Sequence, residues 1–315
     1  GGPAQPPVAD EPPATAPDAD RDALALTAFQ AARKAMSAGH DTEALGLFVA
    51  FLREFKGTPT GTRYENEVRE RITALAAGPA GVERAFRGRV EARDRGRYRI
   101  TYDFSDPDQL LDFRDVNAFE APPRADWALR AGRVAAKGSG AFVLNAEFES
   151  GFLSVEVEVL PERAHDLGVI YFEPGNQQRF YLYTIQNSFF RLGAGDGREE
   201  FREHAIALFG PDMWADTPAG EIGFVRKCGS REPRISPGRP STVKCGKADA
   251  EVWMRFEGGR TIRGSAYGDK KYEFKGLSPG VFLVNSAGAF GRIEIEGVPD
   301  RTWVARHWAD VLAGL

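Results

Sequence analysis

Methionine, histidine and cysteine are all scarce in this chain of 315 residues, which holds 3, 4 and 2 of them respectively. The histidines, His40, His165, His204 and His307, are scattered and show no metal-ligand spacing. Two cysteines with no histidine nearby fall short of the four ligands of a structural zinc site. No apolar run approaches the ~20 residues that a membrane helix needs. No Ser/His/Asp order, glycine-rich phosphate loop or cysteine-nucleophile context stands out. Positive charge is not in excess: the net charge is -4 and the pI about 5.8, which argues against general nucleic-acid affinity.

What is present is ample for folding. Hydrophobic residues make up 42% of the chain and charged residues 27%, enough for real cores and an ordinary solvated surface. The length suggests two domains. Residues 1–20 are Pro, Ala and Asp with almost no large apolar side chain, the composition of an extended tether. The chain starts Gly1-Gly2. Processing after a signal peptide or lipoprotein signal fits that start, and so does a pair left by cloning. A tether of this kind commonly follows a membrane anchor, so the expected location is extracytoplasmic: periplasm, outer membrane or cell surface. Contact with a membrane is expected only through such a lost lipid anchor.

Cys228 and Cys245 flank a loop rich in Pro, Gly and Arg. A disulfide closing it would stabilise by roughly 3 kcal/mol in the chain-entropy model and would require an oxidising compartment. Two reduced thiols are the alternative. The same segment carries Arg226, Lys227, Arg231, Arg234, Arg239, Lys244 and Lys247, a local basic patch in an acidic protein. It suits an anionic glycan, an envelope phosphate or an acidic partner, or else it is a solvated loop.

Residues 21–77 have helical periodicity. Leu24, Ala28, Phe29, Ala32 and Met36 mark one apolar face; Leu45, Phe48, Phe51, Leu52 and Phe55 a second; Tyr64, Val68, Ile72 and Leu75 a third. Gly39-His40 and Gly57, Pro59 and Gly61 are the breaks. The pattern Ala28, Gly39-His40-Asp41, Ala44, Phe48, Phe55, Pro59 resembles about one and a half tetratricopeptide repeats. A solenoid needs about three repeats to bury its core, so these helices should pack on a neighbour domain or another protein. The resemblance implies a protein partner docking on them.

Residues 78–95 read as a connector. From residue 96 to 299 the signal is β, with short alternating runs between turns and no interleaved helices, meaning an antiparallel sandwich or barrel. Strands are expected at Trp127–Leu129, Arg133–Ala136, Ala141–Phe148, Phe152–Leu160, Leu167–Glu173, Gln178–Gln186 and Phe189–Leu192. Further strands are expected at Ala250–Glu257, Thr261–Tyr267, Lys271–Phe274, Gly280–Asn285 and Arg292–Glu296. Residues 199–248 look like a long insertion, and 300–315 like an amphipathic helix capped by Asp300.

The order of these β features resembles the concanavalin A-like lectin/glucanase superfamily. The motifs are Phe104-Ser-Asp-Pro-Asp-Gln-Leu-Leu-Asp-Phe113, Trp127–Val134, Phe152-Leu-Ser-Val-Glu-Val-Glu-Val, Gly168-Val-Ile-Tyr-Phe172 and Arg179-Phe-Tyr-Leu-Tyr183. Gly280-Val-Phe-Leu-Val, Gly291–Gly297 and Asp300-Arg-Thr-Trp303 close the series. The subgroup it is most similar to holds laminin-G-like and 3-keto-disaccharide hydrolase-like modules. The resemblance implies a mainly β fold, an antiparallel jelly-roll sandwich behind a small helical domain. Members bind sugars, cleave glycans or contact proteins, so the fold leaves function open.

Three functions are weighed. Laminarinase-type members carry alternate carboxylates on one strand, and Ser154-Val-Glu156-Val-Glu158 is the counterpart here. Glu156 and Glu158 would be the catalytic residues of a glycoside hydrolase, but serine stands where the nucleophile belongs. The polar signatures of the 3-keto-disaccharide branch are absent from Leu167–Ile170 and Phe180–Tyr183. A non-catalytic recognition module for a glycan or an envelope protein is the favoured reading. Its expected ligand-binding residues are Tyr171, Glu173, Arg179, Tyr181, Tyr183, Asn187, Trp253 and Arg255, aromatic faces with hydrogen-bonding neighbours. The third reading is a structural subunit of a larger assembly. No cofactor is expected; calcium would need converging oxygens, and Asp103, Asp106 and Asp108 read more simply as a turn.

Overall fold

In a computed structural model, the structure describes residues 16–119, 123–162, 166–187, 203–209, 224–230, 233, 235–259, 261–265 and 274–315. They divide into two compact units: the described residues up to Ala85 with Val304–Leu315, and Phe86–Trp303. No described helix is long and apolar enough to cross a membrane.

The first unit contains α1 (Ala16–Ser37), α2 (Asp41–Glu54), α3 (Pro59–Ala76), α4 (Pro79–Ala85) and most of α5 (Arg301–Gly314). Gly39 turns α1 into α2 with φ 75°, a left-handed conformation that costs a side-chain-bearing residue more than glycine. Thr58 caps α3: its hydroxyl accepts a bond from the Gly61 amide at 2.9 Å, and Pro59 occupies the first turn. Phe29 stacks on Tyr64 at 4.1 Å and lies 5.8 Å from Phe51. The buried stripe of α1 is Ala25, Phe29, Ala32 and Ala35, small residues around one ring. Leu24, expected inside, is exposed, because the stripe starts one residue later. The helix also begins at Ala16, so the last five residues of the expected tether, 16–20, are helical. α5 packs on the other helices of this unit: Val304 and Trp308 are buried, and the Trp308 indole donates to the Gly81 carbonyl at 3.0 Å.

The second unit is the expected antiparallel sandwich. In chain order its strands are β1 (Arg89–Ala92), β2 (Tyr98–Tyr102), β3 (Phe113–Val116), β4 (Ala128–Arg130), β5 (Arg133–Leu144), β6 (Phe148–Pro161) and β7 (Leu167–Glu173). They continue as β8 (Asn176–Asn187), β9 (Glu203–Phe209), β10 (Phe224–Ser230), β11 (Ser241–Ala248), β12 (Glu251–Phe256), β13 (Thr261–Ser265) and β14 (Ser278–Pro299). Several short strands expected from sequence are parts of long ones, as in β5 and β14. The connector contains α4 and β1. The expected insertion supplies β9, β10 and β11, which are sandwich strands. The expected strand Phe189–Leu192, and most of that at Lys271–Phe274, lie outside the described residues.

Strand β14 belongs to both layers. Its first half pairs with β7, its second half with β6 and β2, and β5 runs beside both halves. The register shifts between Leu283 and Ser286, where Asn285 has φ 47° and its amide donates to the Ser139 hydroxyl at 3.0 Å. Such a bulge redirects a strand and changes which face its side chains meet. The first layer is thus β1-β2-β14-β6-β11-β12-β13, and the second β10-β9-β8-β7-β14 with β5. The layers pack face to face, because Tyr171 on β7 and Tyr183 on β8 reach β11 of the first layer, a strand with which neither β7 nor β8 pairs. Their hydroxyls donate to the Cys245 and Gly246 carbonyls at 2.9 and 3.0 Å.

Alternation then sorts the first layer cleanly. The row Ile100, Ile295, Val155, Cys245, Met254, Ile262 runs across six strands and is buried throughout. The next inner row is Tyr102, Ile293, Val157, Val243 and Phe256. The valines of β6 are core residues, as their spacing predicts. The second layer is apolar on both faces. Away from the first layer, Ile170, Phe172, Phe180, Leu182 and Phe282 form a cluster against which Ala118 and Phe119 pack.

Candidate functional site

The outer face of the first layer carries the polar residues of the same strands. One cross-strand row reads Glu91, Arg99, Glu296, Ser154, Gly246, Trp253, Arg263. The adjacent row reads Arg89, Thr101, Glu294, Glu156, Lys244, Arg255, Thr261. Glu156, Glu158, Trp253 and Arg255, four of the residues singled out from sequence, therefore meet on one sheet face.

Trp253 is laid flat by its neighbour. A Cβ at Gly246, directly opposite on β11, would overlap the indole ring, so the ring rests on the glycine backbone. Glycine is needed here for close approach rather than for turning. Buried Ser154 continues the row, and Phe152 lies two residues back on the same strand face, with the Arg97 guanidinium 4.8 Å above its ring. Around these groups the charges interlock. Arg99 contacts Glu294 at 3.2 Å and Glu296 at 3.3 Å; Arg97 contacts Glu296 at 3.2 Å; Arg263 contacts Glu251 at 2.6 Å. Sequence reading missed Arg97, Arg99, Glu294 and Glu296, whose membership depends on which distant strands pair.

The two candidate catalytic carboxylates are held by cations. Glu158 Oε1 accepts two bonds from the Arg133 fork, at 2.9 and 2.6 Å. Glu156 lies 3.6 Å from Lys244. Their side chains are 34% and 41% exposed, so they stand on a solvent-facing sheet surface.

The proposed aromatic platform is corrected. Tyr171, Tyr181 and Tyr183 are fully buried between the layers and cannot touch a ligand. Tyr171 and Tyr183 lie 5.0 Å apart, and Tyr181 packs 4.6 Å from Phe274. Burial holds the Tyr171 phenol well above its ordinary pKa and pushes that of Tyr181 up to about 12. Glu173 and Arg179, also expected as ligand residues, form an ion pair of 2.7 Å beside the turn of the β7–β8 hairpin. Glu173 also accepts from the Lys275 amide at 3.3 Å, and Arg179 covers Phe274 at 4.9 Å. Asn187 ends β8, with its side chain outside the described residues.

The disulfide is likewise corrected. Cys245 is a free, buried thiol on the inner row between Val155 and Met254, and burial pushes its pKa up. The Cys228 side chain lies outside the described residues. Of the basic segment, Lys244 faces outward, whereas Lys247 is buried and donates to the Ser150 and Asp249 carbonyls, both at 2.6 Å. The Asp103 turn is self-satisfied. Asp103 Oδ1 accepts from the Ser105 amide and hydroxyl, which lower its pKa, and Asp106 caps the Asp108 amide at 2.9 Å. Among the described residues no cluster of three His, Cys, Asp or Glu is placed to hold a metal ion.

No family model matches the chain, and no curated protein matches it. Solved structures that resemble it include a Bacillus subtilis protein of unknown function with a galectin-like fold, at 12% identity. That likeness covers 63% of this chain and 94% of that one, with a TM-score of 0.44. The lectin I-B4 of Griffonia simplicifolia is similar at 8% identity over 63% of this chain and 99% of the lectin, with a TM-score of 0.42. The carbohydrate-binding module CBM66 of Bacillus subtilis is similar at 11% identity over 58% of this chain and 94% of the module, with a TM-score of 0.40. Likeness at this level brings neither a ligand nor a binding residue to this chain.

Proposed function

We propose that this protein is a non-catalytic recognition module that binds a glycan on the outer face of its first sheet, with Trp253 as the stacking platform. The observation that carries this reading is the indole seated on Gly246 among outward guanidinium, carboxylate and hydroxyl groups. A sugar presents a C–H face to an aromatic ring and hydroxyls to such polar neighbours, and this face offers both. The composition of residues 1–20 supports an extracytoplasmic setting; the free thiol of Cys245 removes the disulfide as support for it. A glycan array tests the reading. Wild-type protein should retain sugars that Trp253→Ala loses, with the variant's melting curve reporting that it remains folded. Equal retention by both would end the assignment to this face.

Hydrolysis by Glu156 and Glu158 is the weaker reading. A retaining glycosidase sets two carboxyl groups ~5–5.5 Å apart across a scissile bond. Here one is occupied by the Arg133 fork, and Ser154 stands two residues before Glu156, in the nucleophile's place on the same strand face. Release of reducing ends from β-glucans by the wild type, abolished in Glu156→Gln, would reinstate it.

Docking of an envelope protein on the helical unit is favoured by one observation. Leu24 and Leu26 on α1 are 61% and 40% exposed, two large apolar side chains outside the buried stripe of that helix. Cross-linking that is lost in Leu24→Gln/Leu26→Gln would support that contact; unchanged cross-linking would place it elsewhere.

A further inference from the structure

Charge on the outer face is balanced almost everywhere, and the exception lies beside Trp253. Arg99, Arg97, Arg263 and Arg133 each contact a carboxylate within 3.3 Å. Lys244 and Arg255, by contrast, are direct cross-strand partners in register, two cations facing each other. Like charges placed opposite each other on neighbouring strands oppose pairing. Glu156 relieves Lys244 from the other side at 3.6 Å, and Glu294, which faces Glu156, is already held by Arg99 and Arg292. Arg255 is exposed and has no carboxylate partner among the described residues. It is two residues from Trp253 on the same strand face, so the two α-carbons are ~6.5–7 Å apart. A single pyranose with an exocyclic carboxylate can bridge that distance. Thr261, directly opposite Arg255, adds a hydroxyl to the same row.

We infer that the sugar taken by this face is acidic, a uronic-acid unit whose ring lies on Trp253 and whose carboxylate is received by Arg255 and Lys244. The inference rests on the glycan-binding reading above and adds the chemical class. An anionic occupant supplies the charge that the Lys244–Arg255 pair lacks, which a neutral sugar cannot do.

The test titrates the whole chain with galacturonate, glucuronate and mannuronate oligosaccharides, with their methyl esters as neutral counterparts, by calorimetry at two salt concentrations. Acidic forms should bind about fivefold to tenfold more tightly than their esters, the scale of one well-placed charge contact. That margin should shrink at higher salt. Arg255→Gln should erase the margin, and Lys244→Gln should reduce it. Esters binding as tightly as acids, or an unchanged margin in Arg255→Gln, would overturn the acidic-sugar inference while leaving glycan binding in place. Loss of the margin to inorganic sulfate at concentrations equal to the sugar would also overturn it, since that would make the pair a general anion contact. Failure of wild-type protein to bind any sugar, acidic or neutral, would overturn both readings.

Discussion

Replacing Tyr183 with phenylalanine separates a core tyrosine from a ligand-binding one. The hydroxyl donates to the Gly246 carbonyl across the sandwich at 3.0 Å, and the ring is fully buried. Tyr183→Phe keeps the ring and removes one buried hydrogen bond, whose net worth is ~0.5–1.5 kcal/mol. The acceptor is a backbone carbonyl, which retains its second lone pair for sheet pairing, so the lower half of that range applies more to it than to an orphaned donor. For a unit spanning Phe86–Trp303, each kcal/mol shifts the melting temperature by about 2–4 °C. Tyr171→Phe should cost a similar amount, through its bond to the Cys245 carbonyl. The rings lie 5.0 Å apart, so the double variant should depart from simple addition by up to about 1 kcal/mol. Urea melts followed by circular dichroism measure all three variants, and glycan binding is read in parallel. A stability loss with unchanged binding is expected. Unchanged stability with lost binding would refute the placement of these tyrosines in the core.

Other consequences follow from the same contacts. Tyr102, Tyr171 and Tyr181 all have phenol pKa values raised above the ordinary 10.0 by burial, with Tyr181 at about 12. The folded state therefore holds protons that the unfolded chain releases, so stability is full below pH 10 and declines as the pH rises toward 12 and beyond. Phenolate absorbance of these residues should appear together with loss of structure, and their titration near pH 10 in intact protein would contradict their burial. Thr58→Ala removes the cap of α3 and should cost ~1 kcal/mol in a chemical melt of the helical unit. Phe282→Ala hollows the apolar cluster of the second layer and should cost ~3–5 kcal/mol. A loss below 1 kcal/mol would mean that the cluster is not packed as described.

The sequence revealed periodicity and concealed pairing. Leu153, Val155, Val157 and Val159 share a face because alternation is a local property of a strand. Phe48, Phe51 and Leu52 were legible for the same reason in α2. The inward direction of Tyr171, Tyr181 and Tyr183 was not legible. Strand β7 is buried on both faces, so alternation there does not distinguish core from surface. Glu173 and Arg179 looked like ligand groups until the β7–β8 hairpin brought them together. Gly246 gave no signal of its own, since its role depends on Trp253 being opposite it. The surplus charge at Arg255 was equally hidden, because it emerges only when Lys244 is known to be its partner across the strands.

The most direct test of the central claim is a glycan-binding measurement on wild type and Gly246→Val side by side. Valine at 246 must evict the Trp253 indole from its seat, while the Lys244–Glu156 and Arg99–Glu296 contacts stay available. Binding that falls at least about tenfold in a variant whose far-ultraviolet spectrum matches the wild type is the predicted result. Undiminished binding in that variant would contradict the assignment of the site to this face.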